Sequence, residues 1–290
     1  MDVLVTYVNG NDPLWQEDYC RAVNAPAITK RYRDWGTLKY LFRGIETCLP
    51  FVGTIHLVVS RESQVPQWVN RSTVHVVLHE EIIPQRFLPT FNSTAIEMFI
   101  HKVPGLQEQC LYFNDDTFPM LPCSEEDFFP GGLPATAFSK GLFTNGMFRA
   151  QVKNSDTLAR KAAGMKPGIG YIRPQHTCSP MLRSVMEEAY AKVEQELLQT
   201  ISPLRERRNC NQHFFLDYMF YTGRAVNRRI SNKHLSLALT SPEKLAAFLE
   251  APSTKLVCIN DVRVNDEDAM REAMLGGFEK RFPQRSRFEI

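Results

Sequence analysis

Three short apolar runs, each of strand length and each ending in a cluster of Asn and Asp, constrain this chain more than any other feature. Asp2 to Val8 runs into Asn9-Gly10-Asn11-Asp12-Pro13, Cys110 to Phe113 into Asn114-Asp115-Asp116, and Lys255 to Ile259 into Asn260-Asp261. Between them lie stretches with apolar residues at helical spacing, and such alternation predicts an α/β layer architecture. Leu38, Leu41, Phe42 and Ile45 place a helix over 34–48, which Pro50 stops. Residues 54–60 and 73–78 read as further strands, 66–70 as a short helix, and 92–102 as a helix capped at Asn92 or Ser93. Beyond them, helices are predicted over 155–164, 180–200, 212–221, 241–249 and 266–275, with loops over 119–134 and 164–174. The whole reads as one domain over 1–290: an α/β part to residue 120, a loop and helical insertion over 121–240, and a return strand and helix over 241–290.

Composition narrows the function classes. Hydrophobic residues make up 43% of the chain and charged residues 23%, which suits a sizeable core and excludes intrinsic disorder. Lys and Arg number 34 against 32 Asp and Glu, a net of +2, so no general basic excess serves a nucleic-acid backbone. No apolar run approaches the length of about 18 residues that a membrane span needs, and the start of the chain lacks the features of a signal peptide. The cysteines, at 20, 48, 110, 123, 178, 210 and 258, form no CxxC pair; they exclude a zinc ribbon and read as reduced thiols of a cytosolic protein.

The chemistry-bearing residues concentrate at strand ends and helix starts. Ligands of open α/β sheets bind beyond the carboxyl ends of the strands. Asp115 and Asp116, adjacent at such an end, suit a hard divalent cation shared with substrate phosphates. Asn260-Asp261 repeats the pattern and offers a second ligand to the same cation. Both clusters read equally as turns hydrogen-bonded by their own side chains. Basic residues cluster at Lys30-Arg31-Tyr32-Arg33, continue at Lys39 and Arg43, and recur at Arg205-Glu206-Arg207-Arg208. Arginine forks match phosphate oxygens, although solvated charge runs have the same composition. Of seven histidines, His56, His75, His101 and His213 fall inside predicted elements, His79 lies just past a strand end and His234 near a strand start. His176 alone sits in a loop, ahead of the predicted 180–200 helix, where it is a candidate general base.

These residues also resemble a known family. DVLVTYVNGNDPLW resembles the opening motif of the Stealth sugar-phosphate transferases. RYRDWGTLKYLFRGIETCLPFVGTIHLVVSRESQVPQWVN, continued by FLPTFNSTAIEMFIHKVPGLQEQCLYFNDD and SEEDFF, is similar to the family's second and longest block. A third block resembles the stretch from Asn154 through HTCSPMLRSVMEE to RRNCNQHFFLDYMFY, and a fourth KLVCIND. The resemblance implies a Rossmann-like nucleotide-sugar-transferase (GT-A-like) sheet flanked by helices, with a helical insertion. It implies transfer of a hexose 1-phosphate, N-acetylglucosamine 1-phosphate foremost, from a UDP-sugar to a hydroxyl of an acceptor glycan. A phosphodiester forms and UMP leaves, in capsule or exopolysaccharide synthesis in the bacterial cytoplasm. Mg2+ or Mn2+ is the implied cofactor, and any membrane association is peripheral, at the cytoplasmic face.

Carried over by position, the resemblance makes Asp116 a metal ligand or base, His176 the alternative base, Arg207 a phosphate-neutralising residue and Asp261 a second metal ligand. Asn9, Gly10 and Asp12 match the opening turn near the nucleotide, and Arg33, Asp34, Lys39 and Arg43 match residues that hold the donor diphosphate. The third block departs from the family at Cys178, where proline is usual, and at Asn211, where an acid follows the arginine, which leaves Arg208 as an alternative to Arg207. Two other readings share these features: a metal-dependent glycosyltransferase that releases UDP, and a glycan-binding protein without catalysis.

Overall fold

The computed structural model describes residues 1–24, 32–261, 264 and 266–290; Lys30 and Arg31 of the first basic cluster lie outside the described residues. The chain opens on β1 (Asp2–Thr6), buried at every position, and α1 (Pro13–Val23), whose N-cap is Asp12 followed by proline at the first helical position. Next comes α2 (Leu38–Cys48), which begins later than the periodicity predicts. Asp34 Oδ1 accepts the Gly36 N–H at 2.9 Å, and Gly36 takes a φ of 75°, so a side-chain-capped turn occupies the expected first helical turn. The strands β2 (Ile55–Val59) and β3 (Val74–Leu78) follow, then the short helices α3 (His79–Ile82) and α4 (Ser93–Glu97). Residues 66–70 form a turn and a bridge from Val69 to Glu289 in place of the expected helix, because the C-terminal segment supplies their hydrogen-bond partners: the Asn70 N–H reaches the Phe288 carbonyl at 2.8 Å.

β4 (Gln109–Asn114) leads through Asp115 and Asp116 into β5 (Thr117–Pro119), and the loop expected over 119–134 holds α5 (Glu125–Phe128) and is followed by β6 (Ala135–Thr136). β7 (Phe138–Gly141), α6 (Met147–Ala162) and β8 (Tyr171–Pro174) come next, so the helix expected at 155 starts eight residues earlier and the loop over 164–174 ends in a strand. The helix predicted over 180–200 is three elements: β9 (Ser179–Leu182), α7 (Arg183–Lys192) and α8 (Glu194–Gln199). β9 is drawn into antiparallel pairing with β4, and the helix breaks at Val193, whose backbone leaves the helical region at φ −140°, ψ 28°. The rest comprises α9 (His213–Tyr221), β10 (Val226–Asn227), β11 (Asn232–Ser236), α10 (Pro242–Glu250), β12 (Leu256–Asn260) and α11 (Glu267–Arg281).

The expected α/β class holds: a parallel-rich central sheet is flanked by helices. Its strand order is β3-β2-β1-β4-β9, and a second sheet runs β11-β12-β5. The chain folds as two compact units. One comprises Met1–Leu4, Val77–Tyr112 and Glu125–Ile230, with a core of Phe99, Phe128, Phe214 and Phe215 around α9. The other comprises Val5–Val76, Phe113–Ser124 and Ser231–Ile290. In that second unit α11 is no mere surface helix: Phe278 is fully buried and stacks on Tyr40 of α2 at 5.4 Å between ring centroids. All seven cysteines carry free thiols.

Candidate active site

Antiparallel pairing of β5 with β12 brings two acidic strand ends together in the second unit. Thr117 lies opposite Cys258, and the Ile259 N–H donates to the Asp116 carbonyl at 2.8 Å, so β12 carries Asp261 past the turn that holds Asp115 and Asp116. A third acid arrives from the turn before α2, because Asp34 and Asp115 both act electrostatically on the buried Tyr7 hydroxyl just past β1. Burial first, and then those two carboxylates and a hydrogen bond to Asp34, push the Tyr7 phenol far above its ordinary range.

The electrostatics of the cluster are those of crowded like charges. Burial raises Asp115 well above the usual carboxylate range, and the charges of Asp116, Asp261 and Asp34 raise it further. Asp261 is also raised, by burial and by Asp116, against the opposing pull of Trp35 and Arg33. The Trp35 indole N–H donates to Asp261 Oδ2 at 2.6 Å, and the Arg33 guanidinium lies 4.9 Å from the centre of the Trp35 ring. Arg33 in turn pairs with Glu267 at 2.6 Å. The Cys258 thiol donates to Asp116 Oδ2 at 3.6 Å, and its own ionisation is strongly disfavoured by burial and by that carboxylate. The charges of Asp34, Asp116 and Asp261 all act on Asp115, and a hard divalent cation near these carboxylates would offset their repulsion.

The opening turn is held by hydrogen bonds. Asn9 exchanges two hydrogen bonds with Gln64, its N–H donating to Oε1 at 2.7 Å and its carbonyl accepting from Nε2 at 3.1 Å. Gly10 has no alternative: a Cβ there would overlap the Tyr32 carbonyl oxygen. Asp12, expected beside the nucleotide, has no free oxygen. Oδ1 accepts the Leu14 N–H at 3.0 Å, and Oδ2 accepts Ser63 Oγ at 2.6 Å and Gln64 Nε2 at 2.7 Å. Burial works against its charge, yet these bonds hold its carboxyl below the usual range. Asp12 therefore builds the turn.

Arg43, expected at the donor diphosphate, is 6% exposed and its guanidinium is engaged within this chain. Nε and Nη2 donate to the Glu289 carboxylate at 2.9 and 3.0 Å, and Nη1 to the Phe282 carbonyl at 2.9 Å and to Glu279 at 3.3 Å. Lys39 is half-buried, its ammonium 4.8 Å from the centre of the Tyr40 ring.

His176 and Arg207 belong to the first unit. His176 sits in the turn between β8 and β9, not directly before a helix, with its ring 5.8 Å from that of Phe148. Phe148 also touches His213 at 5.9 Å, and His213 is pushed down to about 3, by burial first and then by His176 and Arg173. Arg207 is exposed and donates to the Thr144 carbonyl at 3.2 Å, whereas Arg208 is paired with Glu206 at 2.8 Å. Asn211, where the resemblance expects an acid, bonds Ser155 Oγ at 3.0 Å and the His213 N–H at 3.2 Å. Tyr7, Trp35 and Cys258 carry no signal in the sequence that marks them for the site. Trp35 follows Asp34 directly, but its partner Asp261 lies 226 residues on, and no local pattern announces that pairing.

Comparison with known proteins identifies similar chains. The family description Stealth protein CR2, conserved region 2, matches residues 31–134. The capsular polysaccharide phosphotransferase WcwK of Streptococcus pneumoniae is 30% identical over 332 aligned positions, covering 100% of this chain and 99% of the relative. The receptor polysaccharide phosphotransferase WefC of Streptococcus oralis is also 30% identical, over 334 positions, with the same coverage. Among solved structures, the galactosyltransferase LgtC in complex with donor and acceptor sugar analogs shares 10% identity over 94% of this chain and 95% of that one, with a TM-score of 0.42.

Proposed function

This chain belongs to the Stealth family, and from that premise we propose that it transfers hexose 1-phosphate from a UDP-sugar to a hydroxyl of an acceptor glycan. It is a transferase of the polysaccharide phosphotransferase kind. The finer reading is that UDP-N-acetylglucosamine is the donor and that capsule or exopolysaccharide is built in the bacterial cytoplasm. The observation that carries it is the meeting of Asp34, Asp115, Asp116 and Asp261 beside Arg33, a charge arrangement suited to a cation and a diphosphate.

In this mechanism the acceptor oxygen attacks the phosphorus that carries the sugar. The pyrophosphate P–O bond breaks, a phosphodiester forms and UMP departs with the bonding pair. Asp116 and Asp261 would hold Mg2+ or Mn2+, which supplies positive charge to the phosphate oxygens when bound. Arg33 and Lys39 orient the donor diphosphate, and the Asn9–Gly10 turn, kept rigid by Gln64, receives the nucleotide. Asp116 takes the proton of the attacking hydroxyl, and the family resemblance implies His176 as the alternative base and Arg207 as a phosphate-neutralising residue. Residues 1–290 act together as one catalytic chain in this reading.

The test is turnover of UDP-N-acetylglucosamine with an acceptor glycan, followed by phosphorus NMR of the purified product. A phosphodiester resonance in the glycan, absent with Asp116→Asn, supports the reading. A product glycan that gains sugar without phosphorus favours the glycosyltransferase alternative. Glycan binding without turnover of any nucleotide sugar favours the non-catalytic one.

A further inference from the structure

The first unit presents large apolar side chains to solvent. Phe143 is 74% exposed, Leu142 62% and Ile169 93%. They are not scattered. β7 pairs antiparallel with β8 so that Gly141 faces Tyr171, and Leu142 and Gly170 leave the same end of this two-stranded ladder. A Cβ at Gly170 would lie 3.1 Å from Leu142 Cδ2, and the Tyr171 hydroxyl donates to the Phe143 carbonyl at 2.9 Å, so the two loops are held together. Contiguous exposed apolar residues fixed in this way mark an interaction surface.

The charge around them identifies the partner. From Phe138 to Pro174 there are seven Lys and Arg, of which Lys161 is paired with Glu196 and Arg160 with Asp156, the segment's single acid. Asp156 is buried and bonded to Arg160 at 2.9 Å, so it presents no negative charge outward. Lys140, Lys166 and Arg173 are all exposed, Lys166 in the loop that carries Ile169 and the other two on the ladder itself. We propose that this end of the β7–β8 ladder docks on an anionic lipid bilayer, with Leu142, Phe143 and Ile169 entering the interface and the basic side chains meeting the headgroups. A second copy of the chain fits less well, because a twofold contact on this face would set each basic cluster against itself. No helix among the described residues is long and apolar enough to cross a membrane, so the contact is peripheral.

Vesicle flotation tests this without turnover, so its failure leaves the proposed reaction untouched. The full chain is expected to float with vesicles of phosphatidylcholine and phosphatidylglycerol, less so at high salt, and to stay behind with pure phosphatidylcholine. Replacing Phe143 and Ile169 together by serine should weaken partitioning by about tenfold or more. Lys140→Gln with Lys166→Gln should weaken it by about tenfold on anionic vesicles. Circular dichroism of both variants, matching the parent, excludes unfolding as the cause. Failure to bind anionic vesicles overturns the proposal, as does equal binding to neutral ones or retention by both variants. A dimer dissolved by the serine replacements, with no vesicle binding, assigns the face to a second copy and overturns it too.

Discussion

Asp115 is pressed by burial and by the charges of three other aspartates. A cluster so arranged gains most from a bound cation, so Asp116→Asn and Asp261→Asn should each weaken Mn2+ binding in calorimetry of the donor-free protein. The loss of turnover should be about 100-fold or more for Asp116→Asn. Buried histidines carry a separate prediction. Burial pushes His79 down to about 4 and His101 to about 3, so both rings stay neutral in the folded chain where the unfolded chain takes up protons. Their contribution to stability is complete above the unfolded-state value and is lost as the pH falls from about 6.5 toward about 4, by up to about 1.4 kcal/mol per pH unit for each ring. Urea denaturation at stepped pH should show this decline, and His101→Phe should make it shallower.

At the scale of elements, α2 illustrates how a charged residue can serve the fold. Arg43 ties the helix to Glu289 and to the Phe282 carbonyl, with the arginine side chain 7% exposed and that of Glu289 5%. Arg43→Gln leaves Glu289 buried and uncompensated, which should cost about 3–5 kcal/mol in chemical denaturation. The KM for the donor should stay unchanged in the protein that remains folded. At α10, Ser241 Oγ accepts the Lys244 N–H at 3.4 Å, and Ser241→Ala should cost about 1 kcal/mol. Much of this architecture was legible. The strands over 2–6, 55–59, 74–78, 109–114 and 256–260 announce themselves by apolar runs bounded by turn residues, and α9 and α10 by periodicity and capping. The strands β6 to β10 were not legible, because they are two to four residues long and depend on pairing partners distant in sequence. Ser179 to Leu182 reads as a helix start until β4 claims it. In the site, the acids at 115, 116 and 261 stood out because they end strands, whereas the engagement of Asp12 and Arg43 depends on Ser63, Gln64 and Glu289, which no local pattern marks.

For the whole molecule, the near balance of 34 basic and 32 acidic residues conceals strong local separation. Acids gather at Asp34, Asp115, Asp116 and Asp261 in one unit, and bases along residues 138–174 in the other. The first arrangement suits a cation and a diphosphate, the second an anionic surface. The central claim concerns which bond of the donor is broken, and the nucleotide released reports it directly. With UDP-N-acetylglucosamine, an acceptor glycan and Mg2+ or Mn2+, chromatography of the nucleotide products should show UMP accumulating in step with the product glycan. Release of UDP in that proportion would contradict the account, because the anomeric bond rather than the pyrophosphate would then have been cut.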